Sequence, residues 1–266
     1  MVLERYYNSA KWRITNSVKW IECGLKLAFN IEKRQEVTAS KWDNLIVLDS
    51  CRYDYFEQSC YDYLDGTLQK VISPASCTND WLETVWHDFH DLTYISAMPG
   101  INSKGVPTAF GYVAAKHFSR IIDVWDFGWD SSIGTVPPEN VNKAVLDAMP
   151  LADRRVVIHY VQPHQPYIGE TKITFSRQSA DEGTRTGFRI KRLYEEGGFT
   201  LERLLRAYKD NLVLVLKCVA ELVPNLTGKT IVTADHGELL NEMGEIWHPC
   251  QCYHSKVREV PWFEVK

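Results

Sequence analysis

The sequence lacks charge of a dominant sign and lacks a long apolar run, and each shortage removes a class of function. Thirty Lys and Arg stand against 34 Asp and Glu, a net charge of −4. That balance gives no electrostatic footprint for nucleic acid. The most apolar run, 212–223, is interrupted by Lys217 and Glu221 and is far too short to span a bilayer. Arg5, Lys11, Arg13 and Lys19 break up the N-terminus, so no signal-peptide core is expected there. Repeats and low-complexity segments are missing as well. The seven cysteines (Cys23, Cys51, Cys60, Cys77, Cys218, Cys250 and Cys252) follow no regular spacing and are odd in number. Reduced thiols in a cytoplasmic protein are the expectation. Cys250-Gln251-Cys252 has a one-residue gap and no second pair, which does not fit a structural zinc site. The Asn225-Leu226-Thr227 sequon would matter only in a secretory compartment.

What is present is globular. Hydrophobic residues make up 45% and charged residues 24% of 266, enough for one sizeable buried core. Residues 44–48, 92–97, 156–161 and 230–234 are short apolar runs that read as buried strands, and 120–125 is ambiguous. Segments 79–89, 138–149 and 199–222 read as helices, the second opening on Pro-Pro-Glu, where proline suits a first turn. The alternation predicts an α/β fold, a three-layer α/β/α sandwich around a central, mostly parallel sheet. Residues 1–40 read as a helical extension and 41–266 as one domain. Within that domain the polar stretch 169–198 reads as a mobile insertion, a candidate lid. In the extension, Trp12, Ile14, Val18, Ile21, Leu25 and Leu27 oppose Arg13, Lys19 and Lys26 on an amphipathic pattern. Docking of that face on the core is the simpler expectation, and a membrane-surface role stays open.

The chemistry gathers at two strand ends. Asn44-Leu-Ile-Val-Leu-Asp49 and Thr230-Ile-Val-Thr-Ala-Asp235-His236-Gly237-Glu238 each lift a carboxylate to the rim of a sheet, where open α/β proteins place their sites. Capping of a following helix would explain either aspartate, but not His236-Gly237. Two carboxylates and an imidazole suit zinc, manganese, magnesium or calcium.

Five segments in order resemble the alkaline phosphatase and sulfatase superfamily, in particular its sulfatase-like proteins. They are Val47-Leu48-Asp49-Ser50-Cys51-Arg52-Tyr53-Asp54, Ser73-Pro74-Ala75-Ser76-Cys77-Thr78, Gln162-Pro163-His164-Gln165-Pro166-Tyr167, Thr233-Ala234-Asp235-His236-Gly237-Glu238, and His248-Pro249 through to Val260-Pro261-Trp262. The resemblance implies a sulfatase-like catalytic domain over 41–266 with one divalent metal ion held by Asp49, Thr78, Asp235 and His236. It implies a metal-dependent hydrolase of sulfuric or phosphoric esters, with a phosphoglycerol or phosphoethanolamine transferase, or a non-catalytic binding protein, as alternatives. Formylglycine sulfatases carry Cys-x-Pro-Ser-Arg, whereas Cys77-Thr-Asn-Asp-Trp81 lacks that proline and arginine. Thr78-Asn-Asp is closer to the nucleophile segment of phosphoglycerol transferases, so Thr78 is the expected nucleophile, ahead of Cys77 and Ser76. His164 and His248 are the expected catalytic histidines, stabilising the oxyanion and leaving group. Arg52, Cys77 and His254 are candidate substrate-binding residues, although Arg52 equally suits a salt bridge to Asp54 or Glu57. Glu238 is expected to support His236, and His159, inside a strand, to be a core residue. The Asp-x-x-x-His that would complete a second metal site is missing from the expected region, so a single ion is expected. The implied partner is a small-molecule, glycan-linked or lipid-linked sulfate or phosphate ester, and an oligomer stays open.

Overall fold

The structure, a computed structural model, describes residues 13–19, 21, 22, 25, 33–148, 155–174 and 187–266. The central sheet contains strands β1 (Lys33–Arg34), β2 (Asn44–Leu48), β3 (Gly66–Ile72), β4 (His90–Ser96), β5 (Phe118–Asp123), β6 (Val156–Tyr160), β7 (Thr230–Thr233) and β10 (Glu259–Val265). A separate hairpin pairs β8 (Leu239–Leu240) with β9 (Ile246–Trp247). The eight strands lie in the order β1-β3-β10-β7-β2-β6-β4-β5. From β7 to β5 every neighbour is parallel, whereas β10 runs antiparallel to both β3 and β7.

Strand β2 shows why the sheet is covered on both sides. Ile46 and Leu48 belong to one buried cluster and Leu45 and Val47 to another, as a period of two requires. Against the first face pack α1 (Tyr53–Ser59), α4 (Pro138–Ala148) and α6 (Leu201–Leu222), through Phe56, Val141, Val145, Leu212, Leu216 and Val219. The second face is closed by α2 (Thr78–Val85), whose Trp81, Leu82 and Val85 join Trp86 and Tyr94. This is the expected three-layer α/β/α sandwich. Thr200 caps α6 by accepting a hydrogen bond from the Arg203 amide at 3.2 Å, which satisfies one orphan donor of the first turn.

Three segments differ from expectation. Strands β3 and β10 had no counterpart, because Gln69 and Lys70 in one and Pro261 in the other interrupt the apolar run that marks a buried strand. The ambiguous segment 120–125 divides into the end of β5 and a short helix α3 (Val124–Phe127). The polar stretch 169–198 is in part packed structure. Tyr167 and Ile173 form an isolated bridge, and α5 (Gly187–Glu195) buries Ile190 against a cluster containing Tyr167, Leu204 and Tyr208. Among the described side chains of this helix only Ile190 is fully buried, which leaves little periodicity to read. Residues 175–186 of that stretch lie outside the described residues. Within 1–40, β1 joins the sheet edge beside β3, and Gln35 donates to Thr233 Oγ1 at 2.8 Å and to the Ala234 carbonyl at 2.7 Å.

Candidate active site

Register brings the two strand-end carboxylates together. β2 and β7 are parallel neighbours with Val47 opposite Thr233, so the residues two further on, Asp49 and Asp235, leave the sheet side by side. Ser50 then turns the chain with φ of +60°, in the left-handed region, and its amide donates to Asp235 Oδ1 at 3.2 Å. The Ser50 hydroxyl donates to Asp49 Oδ1 at 3.0 Å. This loop is held from below by Tyr208 of α6, which donates to the Ser50 carbonyl at 2.7 Å and accepts from the Arg52 amide at 2.9 Å. Sequence reasoning missed both Ser50 and Tyr208, since neither residue type announces a role in positioning a loop.

Asp235 is fixed by its own surroundings. The His236 amide donates to its Oδ1 at 2.8 Å, and Thr78 donates its hydroxyl to Oδ2 at 2.8 Å. Thr78 opens α2, where unsatisfied backbone N–H groups favour anions. His236 Nε2 lies 3.3 Å from Thr78 Oγ1, 3.2 Å from Asp235 Oδ2 and 3.7 Å from Asp49 Oδ1. Its other nitrogen, Nδ1, sits 2.9 Å from the Gly237 carbonyl, which can only accept. Nδ1 therefore carries the proton, and in the neutral ring Nε2 turns a lone pair toward the carboxylates. Gly237 is required by close approach: a Cβ there would collide with the Lys256 carbonyl.

Electrostatics gives this group its meaning. Burial, together with the charge of Asp235, drives the Asp49 carboxyl well above the usual carboxylate range. Burial acts the same way on Asp235, but neighbouring His236 outweighs it and holds that carboxyl well below the usual range. Burial disfavours charge on His236, yet Asp235 overrides it and pushes the imidazole up to about 9. Ligand atoms of Asp49, Asp235 and His236 all lie within 4.8 Å of one another. Two buried carboxylates, an imidazole lone pair and a hydroxyl match the donor chemistry of a divalent cation.

His164 and His248 stand beside this cluster. The His248 ring centre is 4.3 Å from that of His236 and 5.2 Å from that of His164. Glu238, expected behind His236, instead pairs with His248, with Oε1 3.2 Å from Nδ1. Burial would raise the Glu238 carboxyl, and His248 more than offsets it. His164 Nδ1 lies 2.7 Å from the Gln165 carbonyl, so it is the protonated nitrogen and Nε2 carries a lone pair. Burial and the neighbouring His248 push His164 down to about 4, which keeps it neutral at pH 7. Ligand atoms of His164, Glu238 and His248 also fall within 4.8 Å of one another. The single-ion expectation rested on a missing Asp-x-x-x-His, but the fold assembles this second group of ligand-type side chains from three other places in the chain.

Other expected residues are placed differently. Cys77 is joined to Cys250 in a disulfide, so it is not a free thiol. The expectation of reduced cysteines is corrected, and the argument from them for a cytoplasmic setting goes with it. No spacing rule could pair residues 173 apart. Cys51, Cys60, Cys218 and Cys252 are free and buried, and Cys23 lies outside the described residues. Arg52 is 4% exposed and its fork is occupied, giving Nε and Nη2 to Asp54 at 3.0 and 2.8 Å and Nη1 to Glu242 at 2.8 Å. It braces the loop after β2 and has no open face for an ester, which corrects its assignment to substrate. His254 caps α7 (Ser255–Arg258), its Nδ1 accepting from the Lys256 amide at 3.2 Å. Ser76 bonds the Pro249 carbonyl and the Cys252 amide, away from the carboxylates. His159 is fully buried, meets the Tyr94 hydroxyl at 2.8 Å and is pushed down to about 4 by burial.

No family model and no curated protein matches this sequence. Solved structures do. The integral membrane protein lipooligosaccharide phosphoethanolamine transferase A of Neisseria meningitidis is similar with a TM-score of 0.53 at 14% identity, over 98% of this chain and 59% of that one. The soluble domain of the same transferase gives 0.52 at 15% identity, over 87% of this chain and 79% of that one. A 2-O GAG sulfatase, BT1596, gives 0.52 at 10% identity, over 84% and 63%. At such identities the likeness is one of fold alone, and the fold is that of these transferase and sulfatase structures, as the ordered motifs led one to expect. This chain spans well under two thirds of the full-length transferase.

Proposed function

We propose that this protein cleaves phosphoric esters through a threonine nucleophile at a metal-dependent site, passing the phosphoryl-type group to water or to an acceptor hydroxyl. The observation that carries the reading is the Thr78 hydroxyl at the start of α2, 2.8 Å from Asp235 inside the buried Asp49–Asp235–His236 group. A divalent cation held by Asp49, Thr78, Asp235 and His236 would supply the positive charge that lowers the hydroxyl's pKa and neutralises ester oxygens. Thr78 Oγ1 gives its proton to Asp235 Oδ2, to which it already donates, and forms the new bond to phosphorus as the bond to the leaving oxygen breaks, while the amides at the start of α2 receive the non-bridging oxygens. His248, held by Glu238 through Nδ1, would hand a proton from its other ring nitrogen to the leaving oxygen. His164 presents a lone pair and not a proton, so it accepts a hydrogen bond or ligates. In the second half, water or an acceptor alcohol bonds to phosphorus and gives its proton back to His248, and the bond to Thr78 breaks as Oγ1 takes its proton back from Asp235.

The disulfide at Cys77 favours phosphate over a formylglycine route to sulfate, because that route needs the cysteine itself. Two of the similar structures are of a phosphoethanolamine transferase, which makes transfer to a hydroxyl acceptor a natural form of the same chemistry. The test is to offer the zinc- or manganese-loaded protein an aryl phosphate, an aryl phosphodiester and an aryl sulfate, then quench and map any adduct by mass spectrometry. A phosphoryl-type adduct on the Thr78 peptide is expected. Turnover of the sulfate alone, or an adduct elsewhere, would overturn the proposal.

A further inference from the structure

Residues 13–19, 21, 22 and 25 are helical, and Ile14, Val18, Ile21 and Leu25 recur at spacings of four, three and four, so they form one stripe. The stripe faces outward, with exposures of 67, 58, 54 and 52%. On the opposite side of the helix, Asn16 donates to the Gln251 carbonyl at 3.0 Å and accepts from the Tyr253 amide at 2.8 Å. The helix is thus attached to the protein by its polar side, reversing the expectation that the apolar side would dock on the core. Its anchorage is the loop that also carries His248 and the Cys250 link to Cys77 beside Thr78.

Charge identifies what the stripe meets. The first 34 residues contain seven Lys and Arg and only three Glu, while the chain as a whole is at −4. A cationic amphipathic segment on an acidic protein is the pattern that partitions into an anionic lipid surface. A second copy laid on the same face would bring two cationic segments together. We infer that this helix is a membrane-surface anchor, seating Ile14, Val18, Ile21 and Leu25 among anionic lipids and holding the rim of the candidate site at headgroup level. Its bearing on substrate, namely esters presented on a lipid, rests on the ester-cleaving reading, whereas the docking itself does not.

The experiment uses the full chain and two sets of vesicles, phosphatidylcholine alone and phosphatidylcholine with phosphatidylglycerol. Wild-type protein should sediment with the second set, less so at high salt. The Ile14→Asp/Val18→Asp variant should bind at least about tenfold more weakly, since it loses apolar area and adds negative charge. Both positions are exposed, so far-UV circular dichroism and the melting temperature should stay the same. Ile21→Ser/Leu25→Ser serves as a second variant should the first fail to fold. Equal binding of variants and wild type, or no binding of wild type, would overturn the anchor. So would light scattering that shows a wild-type dimer dissociated by the substitutions. A protein that binds these vesicles yet leaves every tested ester intact would refute the chemistry and uphold the anchor.

Discussion

Thr78 and Asp235 are 157 residues apart in sequence and share a hydrogen bond of 2.8 Å. The contact exists because α2 begins where the loop after β3 passes the end of β7, and it joins a candidate nucleophile directly to a candidate metal ligand. One hydroxyl therefore serves both a helix start and the reaction centre, and the two roles separate experimentally.

Thr78→Ala should lower turnover of the best aryl ester by at least about a thousandfold while lowering stability by about 1 kcal/mol. Thr78→Ser, which keeps the oxygen, should recover a measurable part of the activity. The paired measurement is steady-state turnover and thermal melting of the three proteins. Near-native activity in Thr78→Ala would remove Thr78 from the mechanism.

Chelation should abolish turnover, and readdition of zinc or manganese should restore it. Asp235→Asn should weaken metal affinity by about tenfold or more, because it replaces a charged ligand whose neighbours are built around that charge. Metal content by elemental analysis also tells whether the His164–Glu238–His248 group takes up an ion of its own. Undiminished activity after exhaustive dialysis against chelator would contradict the role given to Asp49 and Asp235.

Cys250→Ser should make the protein about 2–4 kcal/mol less stable by releasing the loop constraint. It should also reduce turnover, since the lost link lies one residue from Thr78 and two from His248. Thiol titration of the unfolded protein should gain one reactive group, that of Cys77. A variant with unchanged melting and unchanged rate would show that hydrogen bonds alone hold the two segments.

Asp54 carries a pH dependence of known sign. Burial would raise its carboxyl, but hydrogen bonds and charge from Arg52 and Lys256 outweigh it and hold it at about 2. The unfolded group titrates near 4, about the ordinary aspartate value. The stabilisation is therefore complete above pH 4 and is lost as pH falls through 2. At neutral pH Asp54→Asn should melt about 2–4 °C below wild type, a figure kept small because the side chain retains solvent access. That gap should close between pH 4 and 2, and a gap independent of pH would disprove the ion-pair account.

Much of this architecture was legible in the chain. Buried parallel strands announce themselves by unbroken apolar runs, and β2, β4, β6 and β7 were found on that signal. The carboxylates at the ends of β2 and β7 were visible because Asp49 and Asp235-His236 follow such runs directly. What stayed hidden depends on register and on long-range pairing. The partner of Cys77, the pairing of Glu238 with His248 and the contact of Arg52 with Glu242 are set by how loops meet above the sheet, whereas the bridge from Arg52 to Asp54 was legible two residues away. Tautomers were equally out of reach, since the role of His164 turns on which carbonyl Nδ1 finds.

The bond between Cys77 and Cys250 closes most of the domain into a covalent ring. A protease that cuts once anywhere between those two residues opens the ring without dividing the molecule. The nicked protein would migrate as one species until reduced, then as two fragments, and the segments bearing Thr78 and His248 would remain tied together throughout. For this protein, an unbroken band on a non-reducing gel and an unbroken chain are different properties.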